Sequence, residues 1–205
     1  MDGFIIENGV LKEYEGDERL VAIPEGVCEI GCWAFFNSSG VENVIIPSSV
    51  TKIGDNAFAS CDCLRSIIIP PSVCEIGKEA FEHCELLESV TLTGNITNIA
   101  PRTFGGCTEL TQIVLPHGIT EIGEGAFEDC TELERITLPS TLKVIKTWAF
   151  SRCESLSKLE IPSSVTEISD EAFNHGAVTI YTTAGSYAES YAKRFGIALK
   201  HLKKS

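Results

Sequence analysis

This sequence has little positive charge, a single methionine and no long apolar run. Its 16 Lys and Arg face 29 Asp and Glu, which gives a formal net charge of −13 over 205 residues. Nucleic-acid binding draws most of its affinity from basic side chains that neutralise phosphates, so this balance argues against nucleic acid and against anionic membrane surfaces as partners. No apolar stretch approaches about 18 residues, so the sequence predicts no membrane insertion.

The first residues, MDGFIIENGVLKEYE, lack the basic start and the apolar core of a secretory signal. Their absence favours a cytoplasmic location, and the alternative is that the sequence is a trimmed mature form. Cysteine, in contrast, is plentiful, but the count of nine is odd. Disulfide frameworks belong mainly to short secreted chains, so we expect at least one thiol to be free or paired outside the chain.

Seven phenylalanines recur at a fixed spacing of 23 residues, which indicates a repeat architecture. Each copy begins at a proline, replaced by Thr93 in the fourth copy, and continues with two aliphatic positions and an Ala-Phe pair. A unit of this size cannot bury its aliphatic side chains alone, so neighbouring units must stack. The phenylalanines are Phe35, Phe58, Phe81, Phe104, Phe127, Phe150 and Phe173.

An alternating apolar run closes each unit, as in LRSIIIP, LTQIVLP and LSKLEIP. Alternation with a period of two predicts a strand with one buried face. One strand per unit, at a spacing of about 4.8 Å, predicts a parallel sheet roughly 30 to 35 Å long.

These units resemble the BspA-like bacterial leucine-rich repeat, which reads roughly LxxLxLPxxVxxIGxxAFxxC, over residues 20 to about 180. The resemblance implies a leucine-rich-repeat solenoid, a right-handed α/β-type superhelix. It implies a parallel β-sheet on the concave face, with turns and short helical segments on the convex face. It also implies a binding surface without catalytic activity, often on a cell exterior.

Both ends of the chain carry signals of a cap. Asn8-Gly9 lies between short apolar runs and predicts a β-hairpin. Ser186 and Glu189 form a capping box before a short helix that Gly196 ends. We therefore expect a single domain over 1–205, with an N-terminal cap in 1–23, seven repeats in 24–180 and a C-terminal cap in 181–205.

Five cysteines share one column of the repeat with Ser38 and Gly176. A column of small residues predicts buried free thiols, although stacked neighbours about 5 Å apart also permit disulfides. The remaining four lie in columns of exposed residue types and fit a reducing interior. No zinc-type Cys or His spacing accompanies any of them, so we predict no metal and no cofactor. The five are Cys61, Cys84, Cys107, Cys130 and Cys153; the four are Cys28, Cys32, Cys63 and Cys74.

The sequence shows no set of residues for catalysis. His83 and His175 share one column four copies apart, about 19 Å from each other, which is too far for them to cooperate. Nucleophile elbows, phosphate-binding loops and carboxylates paired in apolar surroundings are missing. We predict that the protein is not an enzyme; a hydrolase would need acids clustered in a pocket.

Two outward columns of the predicted strands form the candidate site for a protein partner. Exposed apolar residues favour an interaction surface, although β-branched residues are also good strand formers. One column supplies Ile45, Ile68, Thr91, Val114, Thr137 and Glu160, and the other supplies Gln112, Arg135 and Lys158.

Trp33 and Trp148 share a column that is otherwise polar. They are secondary candidates for partner contact, and packing beneath the adjoining turn is the alternative. We expect a binding scaffold that is a monomer or a weak homo-oligomer. The alternative function is a structural spacer or a cell-surface adhesion and display module with no small-molecule ligand of its own.

Overall fold

The computed structural model describes residues 3–174 and 177–202, and in it each 23-residue unit forms one turn of a parallel-sheet solenoid. Within a turn, the chain runs through a longer strand, a proline turn, a two-residue strand and a series of tight turns. His175 and Gly176, which the sequence places in the columns of His83 and Cys61, lie outside the described residues.

The first strands form the predicted hairpin. Strands β1 (Phe4–Glu7) and β2 (Val10–Tyr14) pair in an antiparallel sense. Asn8 and Gly9 connect them with φ values of 51° and 77°. Both central residues of a type I′ turn need positive φ, which is why this dipeptide favours the hairpin.

The longer strands stack into a wide parallel sheet. Six of them follow the order β13-β11-β9-β7-β5-β3, and a further group follows β15-β17-β18. Paired residues along each group are those the repeat places in one column. The strands are β3 (Leu20–Ala22), β5 (Asn43–Ile45), β7 (Ser66–Ile69), β9 (Ser89–Leu92), β11 (Gln112–Val114), β13 (Arg135–Thr137), β15 (Lys158–Glu160), β17 (Thr179–Thr182) and β18 (Ala198–His201).

The sequence predicted one parallel sheet with a strand from every unit. The hydrogen-bonded ladder of the wide sheet has one break. Among the described residues, β13 and β15 occupy neighbouring turns without backbone pairing. A second, narrow ladder of two-residue strands runs along another side of the solenoid, and it is interrupted between β8 and β10. These strands are β4 (Glu29–Ile30), β6 (Lys52–Ile53), β8 (Glu75–Ile76), β10 (Asn98–Ile99), β12 (Glu121–Ile122), β14 (Val144–Ile145) and β16 (Glu167–Ile168).

Turns occupy the region where the resemblance implied short helical segments. Within residues 3–174 and 177–202 the single helix is α1 (Tyr187–Phe195), in the C-terminal cap. In each of the first six units two residues of this region take the left-handed conformation, for example Trp33 at φ 65° and Asn37 at φ 58°. The tight reversals that these positions create leave no room for a helical turn.

The repeated glycine after the second aliphatic position has a different role. Gly54 does not have positive φ, but a Cβ added to it would lie 2.6 Å from the backbone nitrogen of Cys32 on the preceding turn. Gly77 and Gly123 show the same close approach. Glycine is favoured here because the backbones of adjacent turns nearly touch.

The core is a stack of phenylalanine rings. Centroids of successive rings are 4.8 to 5.6 Å apart, and their planes are within 15° of parallel. Tyr14 of the hairpin continues the stack at one end, 5.0 Å from Phe35. Tyr191 of α1 continues it at the other end, 6.0 Å from Phe173. The caps therefore extend the aromatic core as well as covering it.

The C-terminal cap consists of α1 and a strand that the sequence did not predict. Ser186 caps the helix by accepting a hydrogen bond from the Glu189 backbone, and Gly196 ends it at φ 66°. After the helix, β18 returns to pair in parallel with β17. With nine residues, α1 is far too short to cross a bilayer, and the described part of the chain has no helix that is long and apolar enough to do so.

Candidate functional site

The wide sheet presents an outward surface built from two columns of side chains, which we call the strand face. Every second residue of a strand points inward to the aromatic core, so the residues between point outward. The face carries all nine predicted site residues, and all nine are exposed. Its first column is Leu20, Asn43, Ser66, Ser89, Gln112, Arg135 and Lys158, and its second is Ala22, Ile45, Ile68, Thr91, Val114, Thr137 and Glu160.

Large apolar side chains are exposed on four of the first five strands of the strand face, β3, β5, β7 and β11. Ile45, Ile68 and Val114 are 55%, 65% and 64% exposed, and Leu20 on β3 is 60% exposed. Leu20, Ile45 and Ile68 border a shallow depression of about 380 Å³. A second depression of about 430 Å³ follows along the same face, between β9 and β11. The repeat pattern does not reveal Leu20, because this residue precedes the first proline and lies in the predicted N-terminal cap.

The other end of the strand face is charged. A depression of about 470 Å³ lies over the unpaired neighbours β13 and β15. Arg135, Lys158, Glu160 and Tyr181 are among the residues that line it. Tyr181 pairs with Glu160 in register and so continues the second column. The repeat pattern missed Tyr181 because the last unit departs from the proline-based alignment.

The five cysteines of the small-residue column are buried, and each thiol donates a hydrogen bond to a backbone carbonyl of the preceding turn. The sulfur of Cys107, for example, lies 3.2 Å from the carbonyl oxygen of Phe81. Burial raises the pKa of the Cys61 and Cys153 thiols to about 12, and it also raises the pKa of the three thiols between them well above the ordinary value. These thiols are therefore protonated, unreactive structural groups.

The remaining thiols lie on the surface. Cys28, Cys32 and Cys74 are exposed and Cys63 is partly buried. In the described part of the chain, no three His, Cys, Asp or Glu side chains converge in a way that could hold a metal ion.

The two tryptophans lie in the turns, away from the strand face. Trp33 is 52% exposed and meets Phe36 edge to face, with their ring centroids 4.8 Å apart. Trp148 is partly buried, and its Nε1 donates a 2.7 Å hydrogen bond to a carboxylate oxygen of Glu171. Only Trp33 leaves a large apolar surface in solvent.

The repeat column pattern and the stacked aromatic core correspond to a known repeat family. The profile of the BspA type leucine rich repeat region matches residues 14–107 and 75–187, with six copies. The chain belongs to this family. The prediction of a leucine-rich-repeat solenoid, made from the sequence, is thereby confirmed.

Solved structures of bacterial leucine-rich repeat proteins are similar to this BspA-type chain. A leucine-rich repeat protein from Eubacterium ventriosum has 30% sequence identity and a TM-score of 0.81, over 87% of this chain and 49% of that one. A leucine rich cell surface protein from Faecalibacterium prausnitzii has 30% identity and a TM-score of 0.73, over 85% and 52%. The T. pallidum leucine-rich repeat protein has 26% identity and a TM-score of 0.70, over 93% and 89%.

The chain spans about half the length of the first two of these structures. A comparison with curated proteins finds no match. Leucine-rich repeat proteins of this kind are in general scaffolds for protein–protein interaction, since a stacked sheet offers an extended and rigid binding surface.

Proposed function

We propose that this protein is a non-enzymatic scaffold that binds a partner protein through the strand face. The observation that carries the proposal is the row of exposed apolar side chains on an otherwise polar sheet surface, with Ile68 at 65% and Val114 at 64% exposure. Water-exposed apolar patches of this kind mark interaction sites. The rigid ladder beneath them lets a partner bind with little loss of conformational entropy.

We also propose that residues 1–205 act as one domain, with caps in 1–23 and 181–205 around seven repeats. A single aromatic stack from Phe4 to Phe195 and a single buried core support this division. Among residues 3–174 and 177–202 only the C-terminal cap has a helix, and β18 belongs to this cap.

The experiment is a capture assay with a matched pair of variants. The triple variant Ile45→Asp, Ile68→Asp and Val114→Asp places three carboxylates on the strand face. The control variant Thr51→Asp, Thr97→Asp and Thr120→Asp adds the same charge at exposed positions beside the narrow ladder. Both should still melt cooperatively but below the parent protein, because each variant places two carboxylates at facing positions of neighbouring turns. The control also loses the hydroxyl hydrogen bonds of Thr51 and Thr120.

A partner cross-linked through a photoreactive residue at Thr91 should be lost from the strand-face variant and retained by the control. Retention by both variants would reject the proposal. Cross-linking should also depend on the probe position, so a probe at the exposed residue Thr166, which lies outside the strand face, serves as the negative control.

The alternative function is a spacer or a surface adhesion and display module. One similar structure is that of a cell surface protein, which favours this alternative. In that case the strand-face variant would keep every interaction of the parent protein, and removal of whole turns would shorten the spacing that the protein maintains.

A further inference from the structure

The charged end of the strand face coincides with the gap in the wide sheet. Strands on both sides of the gap pair in register, but the backbones of β13 and β15 form no ladder. The 470 Å³ depression opens over this gap, and Arg135 and Lys158 both line it. The same two side chains also border a second depression of about 470 Å³ on the neighbouring surface.

Arg135 differs from the other five arginines of the chain. Each of those five has a carboxylate oxygen within 3.2 Å. For four of them the carboxylate lies on a neighbouring turn, and Arg194 of the C-terminal cap pairs with a carboxylate of the last turn. Across residues 3–174 and 177–202, neither Arg135 nor Lys158 takes part in an ion pair. The partners of the five are Glu42 for Arg19, Glu88 for Arg65, Glu82 and Glu128 for Arg102, Asp129 for Arg152 and Asp170 for Arg194.

Arg135 and Lys158 hold the same column position on neighbouring turns. Like charges at facing positions destabilise neighbouring strands. Arg65 and Glu88, which stack on neighbouring turns elsewhere in the chain, are of opposite sign and form an ion pair. Two unpaired cations beside each other, on a chain with a net charge of −13, form a local site that an anion would stabilise.

We propose that this depression, which we call the carboxylate subsite and define by Arg135, Lys158, Glu160 and Tyr181, binds a carboxylate of the partner protein. The proposal rests on the strand face being the protein-binding surface. The planar guanidinium of Arg135 can donate two parallel hydrogen bonds to a carboxylate, and Lys158 adds a second charge. Leu138, Pro162 and the Tyr181 ring form an apolar wall for the carbon chain that carries it.

Glu160 narrows the class of ligand. Its carboxylate lines the same depression and has no ion pair in the described residues. A densely charged polyanion would be repelled by Glu160 and by the overall negative charge of the protein. A peptide, in contrast, presents one carboxylate at a time and has backbone N–H groups that can donate hydrogen bonds to the Glu160 carboxylate. The subsite therefore fits an acidic segment of a protein better than a nucleic acid.

The test compares two labelled peptides by fluorescence anisotropy, one rich in Glu and one with every Glu replaced by Gln. At low salt the Glu peptide should bind about tenfold more tightly or better, because charge-assisted hydrogen bonds are about twice as strong as neutral ones. The Arg135→Gln/Lys158→Gln variant should lose this preference. The control Lys12→Gln/Lys143→Gln removes the same charge from exposed positions outside the strand face and should retain it.

Equal affinity for the two peptides, or an unchanged preference in the Arg135→Gln/Lys158→Gln variant, would overturn the proposal. Tighter binding of a thymidine oligonucleotide than of the Glu peptide would overturn it in favour of nucleic acid. The variant should melt no lower than the parent protein, since the substitutions remove a repulsion.

The outcome is separable from that of the scaffold proposal. A partner lost from the variant with Asp at Ile45, Ile68 and Val114, but held by Arg135→Gln/Lys158→Gln, would reject the carboxylate subsite alone. A partner held by both variants would reject the strand face as a whole.

Discussion

The thiol of Cys84 donates a hydrogen bond to the backbone carbonyl of Phe58, with the sulfur 3.1 Å from the oxygen. The same oxygen accepts the N–H of Cys61, so one carbonyl joins its own turn to the next. Four further cysteines repeat this contact along the stack. The column is therefore a line of weak donors that links successive turns, in addition to a line of small apolar side chains.

Substitution of one of the five buried cysteines should show that the hydrogen bond donated by its thiol contributes to stability. Cys84→Ala removes the hydrogen bond and leaves a small void, and it should lower the free energy of unfolding by roughly 1 to 2 kcal/mol. Cys84→Ser keeps a donor and should lose less. Urea denaturation of the three proteins checks this expectation, and equal stability of the Ser and Ala variants would show that the thiol acts only by filling space.

Thiol reactivity should divide the nine cysteines into two groups. Cys28, Cys32, Cys63 and Cys74 should react with an aromatic disulfide reagent in the folded protein, and the other five only after unfolding. Because burial raises the pKa of Cys61 and Cys153 to about 12, the reactivity of the five buried thiols should not increase as pH rises through 9. Rapid reaction of more than four thiols in the folded protein would contradict the burial of these five cysteines.

Adjacent phenylalanine rings should be coupled energetically, whereas separated rings should not. Phe81 and Phe104 stack with centroids 5.5 Å apart and a 9° angle between planes. A double-mutant cycle of Phe81→Leu and Phe104→Leu should give a coupling of roughly 0.5 to 1.5 kcal/mol. The control cycle pairs Phe58→Leu with Phe150→Leu, which share no contact, and should be additive. Coupling of equal size in both cycles would indicate a global effect on the fold.

The C-terminal cap should lose stability at acid pH through Glu189. Its Oε1 accepts hydrogen bonds from Lys193 at 2.6 Å and pairs with His201 at 3.1 Å. The bond from Lys193 is the main reason that the pKa of Glu189 falls to about 2. A lowered pKa in the folded state stabilises the protein above the unfolded value of about 4.3, and this contribution is lost as pH falls toward 2.

Glu189→Gln tests this link between charge and cap. The variant should melt at a lower temperature than the parent protein at pH 7, and the difference should shrink between pH 4 and pH 2. Circular dichroism melts at several pH values measure it. A difference that stays constant down to pH 2 would show that the carboxylate charge is not responsible.

Much of this architecture could be predicted because the repeat displays each structural position seven times. A single Phe58 or Cys61 is ambiguous, but a column of seven is not, so the core, the strands and the buried thiols follow from the period. The caps could be predicted from local chemistry: Asn8-Gly9 for the hairpin turn and Ser186 for the helix start.

What the period could not predict are departures from it. The left-handed positions of the first six units hold residues as different as Trp33, Asn56 and Glu79, and glycine occupies them only at Gly106 and Gly125, so residue type does not signal them. The strand β18 follows a helix stop at Gly196 and has no counterpart in the repeat. The break between β13 and β15 depends on backbone pairing, which residue types do not report.

The aromatic stack has a consequence for how long such a protein can be. Each inner phenylalanine has a nearly parallel ring above and below it, whereas Tyr14 and Tyr191 contact the terminal rings at interplanar angles of 35° and 61°. No contact within the stack fixes the number of rings. Insertion or removal of one 23-residue unit should therefore lengthen or shorten the solenoid by one turn. The contacts of both caps with the terminal phenylalanines should stay unchanged.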